Sequence, residues 1–321
     1  MYLIIGRSIF IFGILLSMAS ATLGQGQDIP VSKLIDAKQL LRDVEVLAAD
    51  DMEGRSAGTR GGTKAREYVV ERFKQAGLKG FAADYLQPFV QVGRDKTEWT
   101  GANVVGYLKG KKHPDKYIIV SAHYDHVGII KGEIYNGADD DASGTSALFA
   151  LAAYFKKNQP DSSLIFAAFD AEEKGLVGSR KFVAEPPVEL TSILLNVNLD
   201  MIGQNDKGEL YASGTYHSRF LRPYIEKVVA TANVKLLVGH DRPEQKRDDW
   251  TFQSDHGSFH RQKVPFIYFG VEDHKDYHKP TDDYPTITKA FYVRAVETIL
   301  ATIKELDKNA AKIAAERTGR K

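Results

Sequence analysis

The residues best suited to chemistry in this sequence are histidines and carboxylates that follow apolar, strand-like runs. His123 and Asp125 come directly after the run at residues 117–121, and residues 139–141 form an acidic triplet shortly afterwards. Neighbouring carboxylates repel one another, so such a triplet needs either solvent or compensating cations. The triplet also suits the start of the helix predicted from Ser143, because aspartate favours helix N-termini. These residues alone leave a metal site and a capping turn open.

Further carboxylates and histidines follow the later strand-like runs. They are Asp170, Glu172 and Glu173 after residues 164–169, Asp200 after residues 193–199, and His274, Tyr277 and His278 after residues 264–269. Ligand sites of open parallel sheets form beyond the carboxyl ends of the strands, so we expect these side chains to converge. Histidines and carboxylates without any cysteine are a donor set suited to zinc, manganese or cobalt.

The strand-like runs alternate with stretches of helical periodicity. Helices are predicted over residues 36–47, 63–76, 143–157, 178–183, 219–232 and 289–306, and a further strand over residues 236–238. Residues 86–92 and 102–108 predict an antiparallel hairpin at a sheet edge. The alternation predicts a three-layer α/β/α fold with a mixed, mainly parallel central sheet flanked by helices. We expect one domain over residues 36–308 and a frayed basic tail over residues 309–321.

The net charge of the chain and its N-terminal segment indicate which partners and which cellular location to expect. The chain has 43 basic and 42 acidic residues, so no global field favours nucleic acid or an anionic membrane. An apolar run after Arg7, too short for the ~20 residues that span a bilayer, leads to small residues up to Ala21 and is typical of an export signal. We expect a signal peptide at residues 1–21, a short polar leader at residues 22–35, and a periplasmic or extracellular protein without stable membrane association. The absence of cysteine suits a bacterial exported protein without disulfides.

Five sequence blocks carry the candidate residues in a fixed order. They are His123-x-Asp125, residues 137–144, Asp170-Ala171-Glu172-Glu173 with Gly175, Gly178 and Ser179, Asn198-x-Asp200-Met201, and Tyr277-His278-x-Pro280-x-Asp282. Together with residues 47–55, these blocks resemble peptidase family M28, the dinuclear zinc aminopeptidases, in its exported bacterial members. The resemblance implies a zinc-exopeptidase-like fold. A Ser-Asp-His block of the family also occurs at residues 254–256, where we expect only a structural role.

The resemblance implies two Zn²⁺ ions per chain, with Mn²⁺ or Co²⁺ as substitutes. Asp140 would bridge the ions and precede a cis peptide bond to Asp141. His123 and Asp200 would complete one site, and Glu173 and His278 the other. Three carboxylates and a hydroxide would balance the charge of two divalent ions. Asp125 would lie behind the ligands and accept a hydrogen bond from the His123 ring, and Asp141 would also lie behind them.

The implied activity is that of an exopeptidase acting on the N-terminal peptide bond of peptides with a free N-terminus. A metal-bridging hydroxide would attack, Glu172 would act as general base, and Tyr277 would donate to the oxyanion. Two alternatives remain: a glutaminyl cyclase-like aminoacyltransferase with one zinc ion on the same scaffold, and a non-catalytic peptide-binding relative. The sequence has no His-Glu-x-x-His helix. Its one Gly-x-Ser-x-Gly match, at residues 54–58, follows a predicted helix and not a strand, so it lacks the context of a nucleophile elbow. Zinc proteases with that helix and serine hydrolases with that elbow are therefore not favoured.

Overall fold

The computed structural model describes residues 30–93 and 96–318. The predicted signal peptide and most of the predicted leader lie outside these residues. Within the described part, no helix is both long and apolar enough to cross a bilayer.

Helices and strands alternate over most of the described chain. The α-helices of these residues are α1 (Ala37–Leu47), α2 (Arg60–Gln75), α3 (Gly144–Lys157), α4 (Val177–Ala184), α5 (Arg222–Val229), α6 (His256–Arg261), α7 (Lys289–Lys308) and α8 (Ala310–Thr318). The strands are β1 (Lys79–Gly80), β2 (Leu86–Val92), β3 (Glu98–Leu108), β4 (His113–His123), β5 (Gly128–Ile130), β6 (Glu133–Tyr135), β7 (Ser162–Phe169), β8 (Ile193–Leu199), β9 (Glu209–Ser213), β10 (Lys235–Val238) and β11 (Phe266–Gly270).

The central sheet has a parallel core. Its strands run in the order β1-β3-β7-β4-β8-β11-β9-β10, with β2 paired to β3. Strands β7, β4, β8 and β11 are parallel, whereas β3 joins β7 and β9 joins β11 in antiparallel register. The predicted hairpin is present as the antiparallel pair of β2 and β3. The sheet is therefore mixed with a parallel centre, as the sequence predicts.

Both faces of the sheet are covered because the central strands are apolar on both sides. Along β4, Ile118 and Val120 pack in the main core with helices α1, α2, α3, α5 and α7. Ile119 points the other way and packs with Phe182 of α4 and Phe259 of α6. The period-two alternation of a strand thus produces the predicted three layers.

Some elements differ from the sequence prediction. Strand β9 and helix α6 were not predicted, since five and six residues are too short to establish a period. Helix α5 begins only at Arg222, because Pro223 is tolerated in a first turn but not in a helix interior. The expected frayed tail is wrong for residues 310–317, where α8 packs on the core through the fully buried Ile313.

A buried arginine fixes the loop that precedes α3. Arg55 is fully buried, and its guanidinium group donates hydrogen bonds to main-chain carbonyl oxygens. The acceptors are Leu47 at 2.7 Å, Tyr124 at 2.9 Å, Gly137 at 2.8 Å and Asn136. The glycine-rich segment that contains Arg55 therefore acts as a structural loop and joins the end of β4 to the acidic triplet.

Replacing Arg55 by methionine is expected to lower the free energy of unfolding by at least about 3 kcal/mol, because several buried carbonyls lose their donor. Urea unfolding followed by circular dichroism measures this loss. Arg42→Met is the matched control, since that side chain is exposed and pairs with Glu45 at 2.7 Å, and its effect is expected within about 0.5 kcal/mol. A similar small effect for both variants would contradict the clamping role.

Candidate metal centre

The candidate residues meet at the carboxyl edge of the parallel strands. His123 is the last residue of β4, Glu172 and Glu173 follow β7, and Asp200 directly follows β8. Asp140 and His278 reach the same point from loops, the first before α3 and the second after β11. Four neighbouring strands that run in one direction therefore bring distant parts of the sequence to one place.

Left-handed backbone turns the chain at three of these positions. Ala171 precedes Glu172 with φ 58°, Met201 follows Asp200 with φ 58°, and His278 itself has φ 51°. Non-glycine residues rarely adopt this conformation, and such strain is concentrated at functional sites. The turns direct the side chains at the strand ends into the shared site.

The five predicted ligands form two groups that share Asp140. In the first group, His123 Nε2 lies 3.2 Å from Asp140 Oδ1 and 3.5 Å from Asp200 Oδ1. In the second, His278 Nε2 lies 3.0 Å from Asp140 Oδ2 and 3.2 Å from Glu173 Oε1. Asp140 thus presents one oxygen to each group, which is the arrangement of a bridging carboxylate.

His126 also faces the second group, although sequence reasoning did not select it. Its Nδ1 lies 2.9 Å from Glu173 Oε1 and 3.7 Å from Asp140 Oδ2, and the ring is fully buried. A single histidine in a loop has no periodicity that could mark it. The available signal was its position as the second histidine of His123-Tyr124-Asp125-His126, just beyond a buried strand.

Asp125 supports the site differently from the prediction. The His123 ring contacts the Asp125 main-chain carbonyl, 3.0 Å from Nδ1, whereas the Asp125 carboxylate is 3.7 Å away. That carboxylate accepts the backbone N–H groups of Glu172 at 2.9 Å and Glu173 at 3.3 Å. With Nδ1 donating to the carbonyl, the lone pair of His123 Nε2 faces Asp140 and Asp200.

The three aspartates of the acidic triplet make different contacts. Asp141 accepts the backbone N–H groups of Gly144 at 2.8 Å and His123 at 3.1 Å, so it caps α3 and ties it to β4. The peptide bond between Asp140 and Asp141 is cis, as the resemblance implies. Asp139 points away from the ligand groups and pairs with His274 Nε2 at 3.0 Å. Asp141 therefore has the capping role, whereas Asp140 faces the two ligand groups.

Asp282 holds the triplet from the other side. Its carboxylate accepts the backbone N–H groups of Asp139 at 3.0 Å and Asp140 at 3.1 Å. Since Asp282 belongs to the same sequence block as His278, this contact links the two halves of the second ligand group.

Glu172 and Tyr277 line a small cleft beside the ligands. The cleft has a volume of about 60 Å³ and is also lined by Trp250, Tyr268 and Val271. Burial, together with the nearby carboxylates of Asp255, Asp200 and Glu173, raises the pKa of Glu172 well above its usual range, although His123 opposes this. Glu172 makes no ion pair with the histidines of either group, so its carboxylate remains available within the cleft.

The donor atoms fit divalent metal ions. Among the residues that the structure describes, Glu173 Oε1 and both ring nitrogens of His126 are buried without a hydrogen-bond partner, although Glu173 Oε1 and His126 Nδ1 lie only 2.9 Å apart. Burial opposes a charge on His278, yet Asp140 and Glu173 raise its pKa to about 10 in the metal-free chain. Metal binding must therefore displace a proton from His278, and affinity is expected to increase with pH.

Comparison with known proteins identifies the family. The model of peptidase family M28 matches residues 103–303. The chain belongs to peptidase family M28. It is 33% identical to aminopeptidase YwaD of Bacillus subtilis (strain 168) over 227 residues. This alignment covers 67% of this chain and 47% of that protein. The chain thus spans about half or less of the length of the curated relatives that match it first.

Solved structures of similar fold include two kinds of enzyme. The zinc aminopeptidase BSAP from Bacillus subtilis aligns with a TM-score of 0.71 at 18% identity, over 90% of this chain and 98% of that one. The glutaminyl cyclase of Porphyromonas gingivalis aligns with a TM-score of 0.69 at 17% identity, over 85% and 99% of the two chains. These likenesses establish the M28 fold of the chain and do not separate the two activities.

The M28 Ser-Asp-His block contains a buried neutral histidine. The His256 ring lies 4.7 Å from the rings of Phe266 and Tyr268, and its Nε2 donates to the Trp250 carbonyl oxygen at 2.8 Å. Burial lowers the pKa of His256 to about 3. These contacts agree with the structural role expected for the block.

His256 is expected to make stability depend on pH. The unfolded chain protonates this side chain below pH ~6.5, whereas the folded chain does so only near pH 3. The stability of the neutral form is fully present above pH ~6.5 and falls on acidification by about 1.4 kcal/mol per pH unit. His256→Gln keeps a donor but does not titrate. The stability advantage of wild type over this variant is expected to shrink by roughly 3 kcal/mol between pH 7 and pH 4.5 in urea titrations. If wild type and His256→Gln differ in free energy of unfolding by the same amount at both pH values, the assignment is contradicted.

Proposed function

We propose that this protein is a metalloaminopeptidase that hydrolyses the N-terminal peptide bond of peptides at a centre of two zinc ions. The observation that supports this most is the position of Asp140, which presents one carboxylate oxygen to each of two ligand groups. A shared carboxylate is typical of two-metal hydrolytic sites. The name of the relative YwaD, an aminopeptidase, agrees with this proposal.

Each proposed residue has a defined task at the centre. His123 and Asp200 would hold one ion, Glu173 and His278 the other, and Asp140 both, with Mn²⁺ or Co²⁺ as substitutes for Zn²⁺. When bound, the two ions lower the pKa of a shared water molecule and polarise the scissile carbonyl group. The carboxylates of Asp140, Asp200 and Glu173 offset the positive charge in this buried place.

Glu172 would move the proton. The Asp125 carboxylate holds its backbone N–H at 2.9 Å, which fixes where the side chain enters the cleft. Its raised pKa suits a group that accepts a proton from water and then gives it to the leaving amine. Tyr277 stacks on the His278 ring with centroids 4.1 Å apart and would donate its hydroxyl to the oxyanion.

Tyr277→Phe is expected to lower kcat by about 10²-fold with little change in KM, because the donor acts on charge that develops in the transition state. Steady-state kinetics on one peptide substrate separates the two constants. An equal kcat in the variant would assign Tyr277 to packing.

The cleft favours a free N-terminus. Its lining includes the carboxylate of Asp273, which is not among the proposed metal ligands and would attract an ammonium group and repel a C-terminal carboxylate. At about 60 Å³ it is far smaller than a typical ligand pocket of ~300 Å³ or more, so it has room for only a small group.

Release of chromophore from a panel of amino-acid anilides, with and without chelator, tests the proposal. We expect release that is lost on chelation, restored by Zn²⁺ and absent for N-acetylated anilides. Conversion of glutaminyl peptides to pyroglutamyl products without anilide release would indicate the cyclase instead. Peptide binding without any turnover in the metal-loaded protein would indicate a non-catalytic relative.

We also propose that the protein is exported to the periplasm or medium after cleavage near Ala21. N-terminal sequencing of the protein recovered outside the cytoplasm tests this. An N-terminus at Met1 would contradict it.

A further inference from the structure

His126 is a fully buried histidine for which the family resemblance gives no role. Neither of its ring nitrogens has a hydrogen-bond partner within residues 30–93 and 96–318, an uncommon state for a buried polar side chain. The ring is held closely against Gly137, where an added Cβ atom would lie only 2.6 Å from the His126 Cγ and Cδ2 atoms. Gly137 thus leaves just enough space for this imidazole, and the ring is fixed toward Glu173 and Asp140.

The distances around His126 match those between ligands of a single metal ion. Its Nδ1 lies 2.9 Å from Glu173 Oε1 and 3.7 Å from Asp140 Oδ2. The same two oxygens lie 3.2 Å and 3.0 Å from His278 Nε2. Bonds of about 2.0–2.1 Å to a tetrahedral zinc ion separate neighbouring donors by about 3.3 Å. The four distances, from 2.9 to 3.7 Å, lie on both sides of this value.

A hydrogen bond from His126 to Glu173 is the competing explanation. The two atoms are 2.9 Å apart, yet neither forms a hydrogen bond with any described residue, so the N–H group is not aligned with the carboxylate oxygen. A cation bound between His126 Nδ1 and Glu173 Oε1 would bring the two atoms close together without aligning an N–H group between them. Either ring nitrogen of a neutral histidine can bind zinc.

We propose that His126 is a fourth protein ligand of the metal ion held by Asp140, Glu173 and His278. This inference rests on the proposed two-metal centre and makes its two sites unequal. The site of His123, Asp140 and Asp200 has three protein donors and an open position, as catalytic zinc sites do. The His126 site has four and would take the shared water molecule as a fifth ligand, so its ion would be held more tightly and released last.

Metal release from the full chain loaded with Co²⁺ tests the assignment without any substrate. In wild type, we expect that removal of one ion needs a chelator concentration at least about tenfold higher than removal of the other. In His126→Ala and His126→Asn, that difference is expected to disappear, and the visible absorption of the more resistant cobalt ion should change. His256→Ala is the matched control, since it also removes a buried imidazole but one that contacts the Trp250 carbonyl oxygen. It should keep both the difference and the spectrum.

X-ray absorption of zinc-loaded wild type gives a readout that needs no variant. Three imidazole ligands per two zinc ions are expected, whereas two would overturn the proposal. An unchanged release profile and cobalt spectrum in folded His126 variants would also overturn it. Because none of these readouts involves turnover, a protein that shows them but hydrolyses no peptide would contradict the proposed function and leave the His126 assignment standing.

Discussion

Glu172→Gln is expected to lower kcat by about 10²–10⁴-fold while both metal ions remain bound. The amide nearly matches the carboxylate in size but cannot accept a proton from water at neutral pH. Glu172 lines the cleft with His123 and Asp200, whereas the neighbouring Glu173 faces His278 at 3.2 Å. The two adjacent glutamates are thus expected to differ sharply when each is replaced.

The Glu172 experiment combines kinetics with metal analysis by mass spectrometry. Glu185→Gln is the matched control, because it makes the same chemical change at an exposed position at the end of α4. Its activity and metal content are expected to equal those of wild type. Full activity in Glu172→Gln would remove Glu172 from the mechanism, and loss of metal would make it a ligand instead of a base.

Asp140→Asn is expected to weaken the binding of both metal ions by more than about 100-fold and to abolish activity. The substitution removes the one negative charge that both ligand groups share, with Oδ1 3.2 Å from His123 Nε2 and Oδ2 3.0 Å from His278 Nε2. Burial opposes ionisation of Asp140, yet His126, His123 and His278 hold its pKa well below the usual range. Its charge is therefore established before any metal binds.

Chelator competition measures the two affinities in the Asp140 variant, and circular dichroism verifies the fold. Asp115→Asn serves as the control, since its side chain is largely exposed and lies 3.9 Å from Lys116. That variant is expected to bind metal like wild type. Weakening of only one ion in Asp140→Asn would contradict the bridging role.

The fold could be predicted from the sequence because its central strands are long apolar runs. The run at residues 193–199 coincides with β8, and the hairpin strand at residues 86–92 coincides with β2. Apolar periodicity does not depend on distant parts of the chain, so it can be read locally. Strand β9 could not be found in this way, since its five residues become a strand only by pairing with β10 and β11.

The candidate site was predictable where a residue directly follows a strand or belongs to a recognisable block. His123 and Asp200 follow β4 and β8, so the parallel sheet alone brings them together. His126 lies in a loop, and its direction depends on the space at Gly137, which only the three-dimensional structure reveals. The use of the Asp125 carbonyl instead of its carboxylate depends likewise on loop geometry that spacing does not encode.

The most direct test is the metal content per chain of protein purified without chelators. Two divalent ions per chain, with zinc as the principal metal, is the predicted result, because Asp140 faces two separate ligand groups. One ion per chain, or none, would contradict the two-metal centre and favour the single-zinc cyclase or a non-catalytic relative.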